Sequence, residues 1–143
     1  MFKTLTLALM AAVLIAPAAY AQDAAGDLTL SFPGLKTPTG KVMIAVYDSA
    51  QGWASGKPVR VAQADAADAA PSAKIVALPP GTYAVRAFQD VDSDGKMGKN
   101  PFGLPVEPYG FSRDAVGNMG PATFDDAAFE VKAGANAQTM HLK

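Results

Sequence analysis

From Asp27 onward, apolar residues recur at every second position in short runs, and glycine, proline or aspartate closes each run before a helical repeat is established. A chain patterned this way folds into strands. Leu28, Leu30 and Phe32 share one face of residues 27–32, and Val42, Ile44 and Val46 share one face of residues 41–47. Pro33-Gly34 through Thr39-Gly40 form the turn between them, because proline fixes φ and glycine accepts positive φ. Residues 59–63 and 74–78 are further strand candidates, flanking an Ala/Asp stretch, 64–73, that reads as a loop or one helical turn. Pro79-Pro80-Gly81 then turns into residues 82–89, where Tyr83, Val85 and Ala87 lie opposite Ala84, Arg86 and Phe88. Apolar residues on both faces mark this strand as central. Residues 127–131 and 138–142 read as a hairpin across Gly134-Ala135-Asn136. The expected fold is all-β: a single antiparallel Greek-key β-sandwich of about seven strands, of immunoglobulin or transthyretin type, with one long Gly/Pro-rich loop.

The N-terminus carries an address. Residues 1–21 place one charge, Lys3, before an apolar stretch and end on Ala19-Tyr20-Ala21, the order of a secretory signal peptide cleaved after Ala21. Pro17 stops the apolar run short of the roughly 20 residues that cross a bilayer. The expected product is one domain, 22–143, in the periplasm or secreted, with no membrane span after cleavage. The chain has no Cys and one His, which removes disulfide scaffolds, zinc ribbons, thiol nucleophiles and His-rich metal sites. Its 12 Lys+Arg against 13 Asp+Glu lack the basic footprint of a nucleic-acid binder.

Residues 90–123 fit a plain sandwich least. They hold six of the 13 glycines and four of the 11 prolines, and loops beyond roughly 12–15 residues are often functional. The segment opens Asp90-Val91-Asp92-Ser93-Asp94-Gly95, the first half of a calcium loop in which alternate carboxylates converge because glycine permits a sharp turn. Gly98 and Pro101 stand where later ligands belong, so a Ca²⁺ shell needs the Lys96 carbonyl and Glu107 folding back. The competing reading is turn chemistry, with aspartates bonding nearby backbone N–H groups. Phe102, Tyr109 and Phe111 follow, spaced by Gly and Pro. They either pack the loop onto the body of the domain or form an aromatic platform for a protein or small-molecule ligand. Trp53, the only Trp, either plugs the open end of the sandwich or anchors a partner.

Catalysis finds little to build on. His141 sits near the chain end, and no Gly-x-Ser-x-Gly elbow is present. A carboxylate pair of glycosidase type would draw on Glu107 with Asp114, Asp125 or Asp126. The expectation is an exported, non-enzymatic binding or interaction module, with a carboxylate-based hydrolase or a purely structural envelope protein as alternatives.

Longer motifs carry a resemblance. Leu78-Pro-Pro-Gly-Thr-Tyr-Ala-Val85, then Phe88 and Asp90-x-Asp92-x-Asp94-Gly95-Lys96, then Gly103-Leu104-Pro105-x-Glu107-x-Tyr109-Gly110-Phe111-Ser112, then Gly120-Pro121-x-x-Phe124-x-x-Ala127, together resemble the exported bacterial family called domain of unknown function 2141. The resemblance implies a secreted β-sandwich with no established activity. That family usually carries Asn at the positions of Asp92 and Asp94 and Asp at the position of Gly98, so this chain adds charge to the turn and lacks one potential ligand. The Pro-Pro-Gly-Thr-Tyr-x-Val piece also looks like the strand entry of transthyretin-like and collagen-adhesin-B-like modules.

Overall fold

The computed structural model describes residues 24–143, so the signal-peptide reading of residues 1–21 lies outside the described residues. The described chain is mostly β, with eight strands in two sheets: β1 (Gly26–Ser31), β2 (Lys41–Tyr47), β3 (Arg60–Asp65), β4 (Ser72–Leu78), β5 (Gly81–Asp90), β6 (Tyr109–Phe111), β7 (Phe129–Val131) and β8 (Gly134–Thr139). One sheet has the order β4-β1-β8; the other runs β3-β2-β5-β6, with β7 also paired to β5. The alternating residues of β1 and β2 turn inward as the period-two pattern requires: Leu28, Leu30, Val42, Ile44 and Val46 are buried together with Ile75, Leu78, Val85, Val131 and Met140 in one core shared by both sheets. β5 is central. It pairs with β2 from Ala84 to Asp90, with β6 from Arg86 to Phe88 and with β7 from Gly81 to Tyr83. The turn entering β5 passes between sheets, and the Tyr83 hydroxyl holds it by donating to the Pro79 carbonyl at 2.7 Å.

Three expectations are corrected. The strands number eight because Tyr109–Phe111, inside the long loop, adds an edge to β5. The hairpin across Gly134-Ala135-Asn136 does not form, and the pairing is not wholly antiparallel: β8 begins at Gly134 and runs parallel to β1, while β7 lies in the other sheet. Asn136 explains why turn-forming residues can start a strand here. Its side chain accepts from the Lys132 N–H at 3.0 Å and donates to the Lys132 carbonyl at 2.7 Å, satisfying the backbone where the chain crosses between sheets. Helix, finally, is not absent. α1 (Ala50–Ser55) is capped by Ser49 and ended by Gly56 at φ 67°, and α2 (Phe124–Ala127) carries a capping box of Thr123 and Asp126. Both are too short for a helical repeat to register in the sequence.

Candidate functional site

The outer face of the larger sheet is largely apolar. Alternation sends Met43, Ala45 and Tyr47 of β2 and Ala84, Arg86 and Phe88 of β5 away from the shared core. Part of this face is covered by a second cluster, in which Tyr47, Trp53, Ala84, Phe111, Ala122 and Ala127 are buried. Trp53 is its centre, with ring centroids 5.3 Å from Tyr47, 5.8 Å from Phe111 and 6.2 Å from Phe124, and its indole N–H donates to the Ala122 carbonyl at 3.0 Å. Trp53 is therefore only 5% exposed, and it packs on the outside of the larger sheet rather than plugging an open end of the sandwich. Ser112, fully buried, bolts the same region together: its hydroxyl donates to the Ala127 carbonyl at 2.5 Å and accepts from the Val85 N–H at 2.9 Å.

Beside this cluster the face opens into a groove of about 1040 Å³, floored by β2, β3 and β5 and walled by the long loop through Met97, Leu104 and Pro105. Tyr109 and Phe111 line it, whereas Phe102 stands 89% exposed away from the lining. Arg86 enters from the floor with its guanidinium carbon 3.9 Å from the Trp53 ring centroid and 5.1 Å from that of Tyr47. Stacking of this kind is worth roughly 0.5–2 kcal/mol. Burial lowers the Arg86 pKa from its usual value, with Tyr47 opposing the shift.

The loop owes its shape to its own side chains. Asp90 accepts from the Asp94 N–H at 3.1 Å and the Gly95 N–H at 3.0 Å; Asp92 accepts from the Asp94 N–H at 3.2 Å and Asp94 from the Lys96 N–H at 2.8 Å. Glu107 folds back across this turn, one oxygen accepting from Val91 N–H at 2.9 Å and the other from Gly98 N–H at 2.8 Å. Between them, Asn100 accepts from the Phe102 and Leu104 N–H groups, each at 3.0 Å, which positions the wall of the groove. Ligand oxygens of Asp90, Asp92 and Glu107 lie within 4.8 Å of one another, with Asp90 and Glu107 buried and Asp92 exposed. Asp94 and Lys96 are outside that group of three. For Asp92 the Asp94 N–H bond lowers the pKa, but desolvation, repulsion from Asp94 and Glu107, and the side chain of Asp90 together leave it raised.

Asp114 and Asp126 are engaged separately. Asp114 accepts from the His141 backbone N–H at 2.8 Å and lies 2.8 Å from its imidazole Nδ1, while the Asp126 carboxylate accepts from the backbone N–H of Thr123, the N-cap of α2. His141 lies on the exposed tail just beyond β8, not within the last strand. Arg86 and Met43 are among the groove residues that the sequence does not single out. A lone arginine in an otherwise apolar central strand was the available signal.

Comparison with curated proteins and with solved structures found no match. A family model described as an uncharacterized protein conserved in bacteria does match, over residues 31–139, which takes in every strand but β1, together with the groove and the acidic loop. The chain belongs to that family, domain of unknown function 2141.

Proposed function

We propose that the protein is an exported, non-enzymatic binding module, built on a β-sandwich of immunoglobulin or transthyretin kind, whose site is the groove between the outer face of the larger sheet and the loop of residues 90–123. The observation that carries this reading is the groove itself: an apolar concavity of about 1040 Å³ beside a cluster of aromatic side chains. Small-molecule sites have this character, with apolar walls and few polar groups. Export is supported by the charge, apolar stretch and small-residue order of residues 1–21. Among the described residues no helix is long and apolar enough to cross a membrane. The test is titration with a neutral naphthalene dye. Wild type is expected to bind about one equivalent, and the double variant Met43→Gln, Leu104→Gln to bind roughly tenfold more weakly through lost apolar contact, with unfolding still cooperative. Equal binding by both proteins, or none by wild type, removes the groove as the site.

A second reading concerns the loop, where we infer a weak Ca²⁺ site. The convergence of Asp90, Asp92 and Glu107 supports it, because a divalent cation would offset the Asp94 and Glu107 charges that, after desolvation, contribute to raising Asp92. Three carboxylates fall short of the six to eight oxygens that calcium takes, so affinity belongs in the extracellular range of roughly 10⁻⁴ to 10⁻³ M. At ten times Kd a single site adds about 1.4 kcal/mol, roughly 3–6 °C in the midpoint of thermal unfolding. Unfolding in chelator against millimolar Ca²⁺ reads this directly, and Glu107→Gln and Asp92→Asn should each abolish the shift. An unchanged wild-type midpoint leaves the cluster as turn chemistry.

A further inference from the structure

We propose that the groove takes a long-chain carboxylate whose head is gripped by Arg86, an inference that rests on the binding reading above. The charged side chains lining the groove are Arg86 and Lys99, and no aspartate or glutamate lines it. Charge in the lining is thus of one sign. Arg86 carries one orphaned donor: its Nε is buried without a hydrogen-bond partner, and the ion pairs among the described residues, Lys74 with Asp27 and His141 with Asp114, leave the guanidinium without a carboxylate. The rings of Trp53 and Tyr47 engage the guanidinium, but stacking does nothing for the Nε–H, which lies in its plane. A buried donor left unpaired is unfavourable, and it is most so when charged. A carboxylate completes it, since the arginine fork matches two parallel carboxylate oxygens and the attraction strengthens where water is scarce. The rest of the ligand follows from the walls. Met43, Met97 and Leu104 are flexible and apolar, and methionine adapts to irregular shapes, so an unbranched acyl chain is accommodated without a rigid template.

The experiment compares dodecanoate, dodecanol and acetate by calorimetry below micellar concentration. Emission from Trp53, the only Trp, reports whether the head reaches Arg86. Wild type is expected to bind one dodecanoate per chain, dodecanol roughly ten- to a hundredfold more weakly, as loss of a charge-assisted hydrogen bond implies, and acetate not at all. Arg86→Met should retain dodecanol binding and bring dodecanoate down to the same affinity. Arg86→Lys keeps the charge without the fork, and its expected severalfold loss for dodecanoate alone carries the test if Arg86→Met does not fold. Equal affinity of wild type for dodecanoate and dodecanol overturns the carboxylate assignment while leaving the groove a binding site. Failure of both long-chain probes and of the neutral dye overturns the groove reading itself.

Discussion

Asp114 shows how a loop acid left over from the site is put to structural use. Burial pushes its pKa up, but the backbone and imidazole of His141, with Lys143 nearby, pull it below the ordinary carboxylate value of 3.8. A lowered carboxylate stabilises the fold fully above its unfolded value and loses that effect as the pH falls through the folded one. Asp114→Asn is therefore expected to lower the midpoint of thermal unfolding at neutral pH. Because the pair is well exposed, the loss should not exceed about 1 kcal/mol, and the gap to wild type should close as the pH drops below 3.8. A gap independent of pH would assign the effect to packing of the C-terminal tail. That tail matters to the groove, since Tyr109 and Lys143 exchange backbone hydrogen bonds at 3.0 and 2.9 Å, backing the strand that carries Tyr109 and Phe111.

Among the elements, β8 depends most on a contact that no local pattern announces. The crossover from β7 runs so close to β1 that a Cβ on Gly26 would collide with the Lys132 carbonyl and lie 2.7 Å from a Val131 methyl. Gly26→Val should cost roughly 1–3 kcal/mol by overpacking, read as a lower denaturant midpoint at unchanged slope. Ala135→Val, at an exposed position of β8 paired with Asp27, should stay within about 0.5 kcal/mol of wild type. Equal effects from the two would mean that the crossover tolerates displacement. The same economy of local signal explains α1 and α2. Ser49, Gly56, Thr123 and Asp126 cap or end them, but each helix spans too few residues to display an apolar stripe.

Over the whole molecule, the division follows the range of the forces involved. Alternation along a strand is local, because successive side chains point to opposite faces. Leu28, Leu30, Val42, Ile44 and Val46 therefore declared their burial in the sequence, as did the apolarity of β5 on both faces. Turn chemistry is local as well: Pro79-Pro80-Gly81 and the aspartates from Asp90 to Asp94 act through backbone preferences and hydrogen bonds to near neighbours. Strand pairing is not local. Which sheet received β7 and β8, and that β8 joined β1 in parallel, was decided by burying Phe129, Val131 and Met140 in the shared core. The groove is further still from the reach of pattern. Pairing of β2 with β5 brings Met43 beside Arg86 and Phe88, and only the folding of the long loop over the sheet adds Leu104 to make one concavity. The sequence by itself determined β1, β2 and β5, their inward faces and the turn at Pro79-Pro80-Gly81, but neither β6 nor the start of β8 at Gly134. Tertiary structure alone decided the sheet order and stacked Arg86 on Trp53, because those contacts join residues whose neighbours in sequence carry no record of one another.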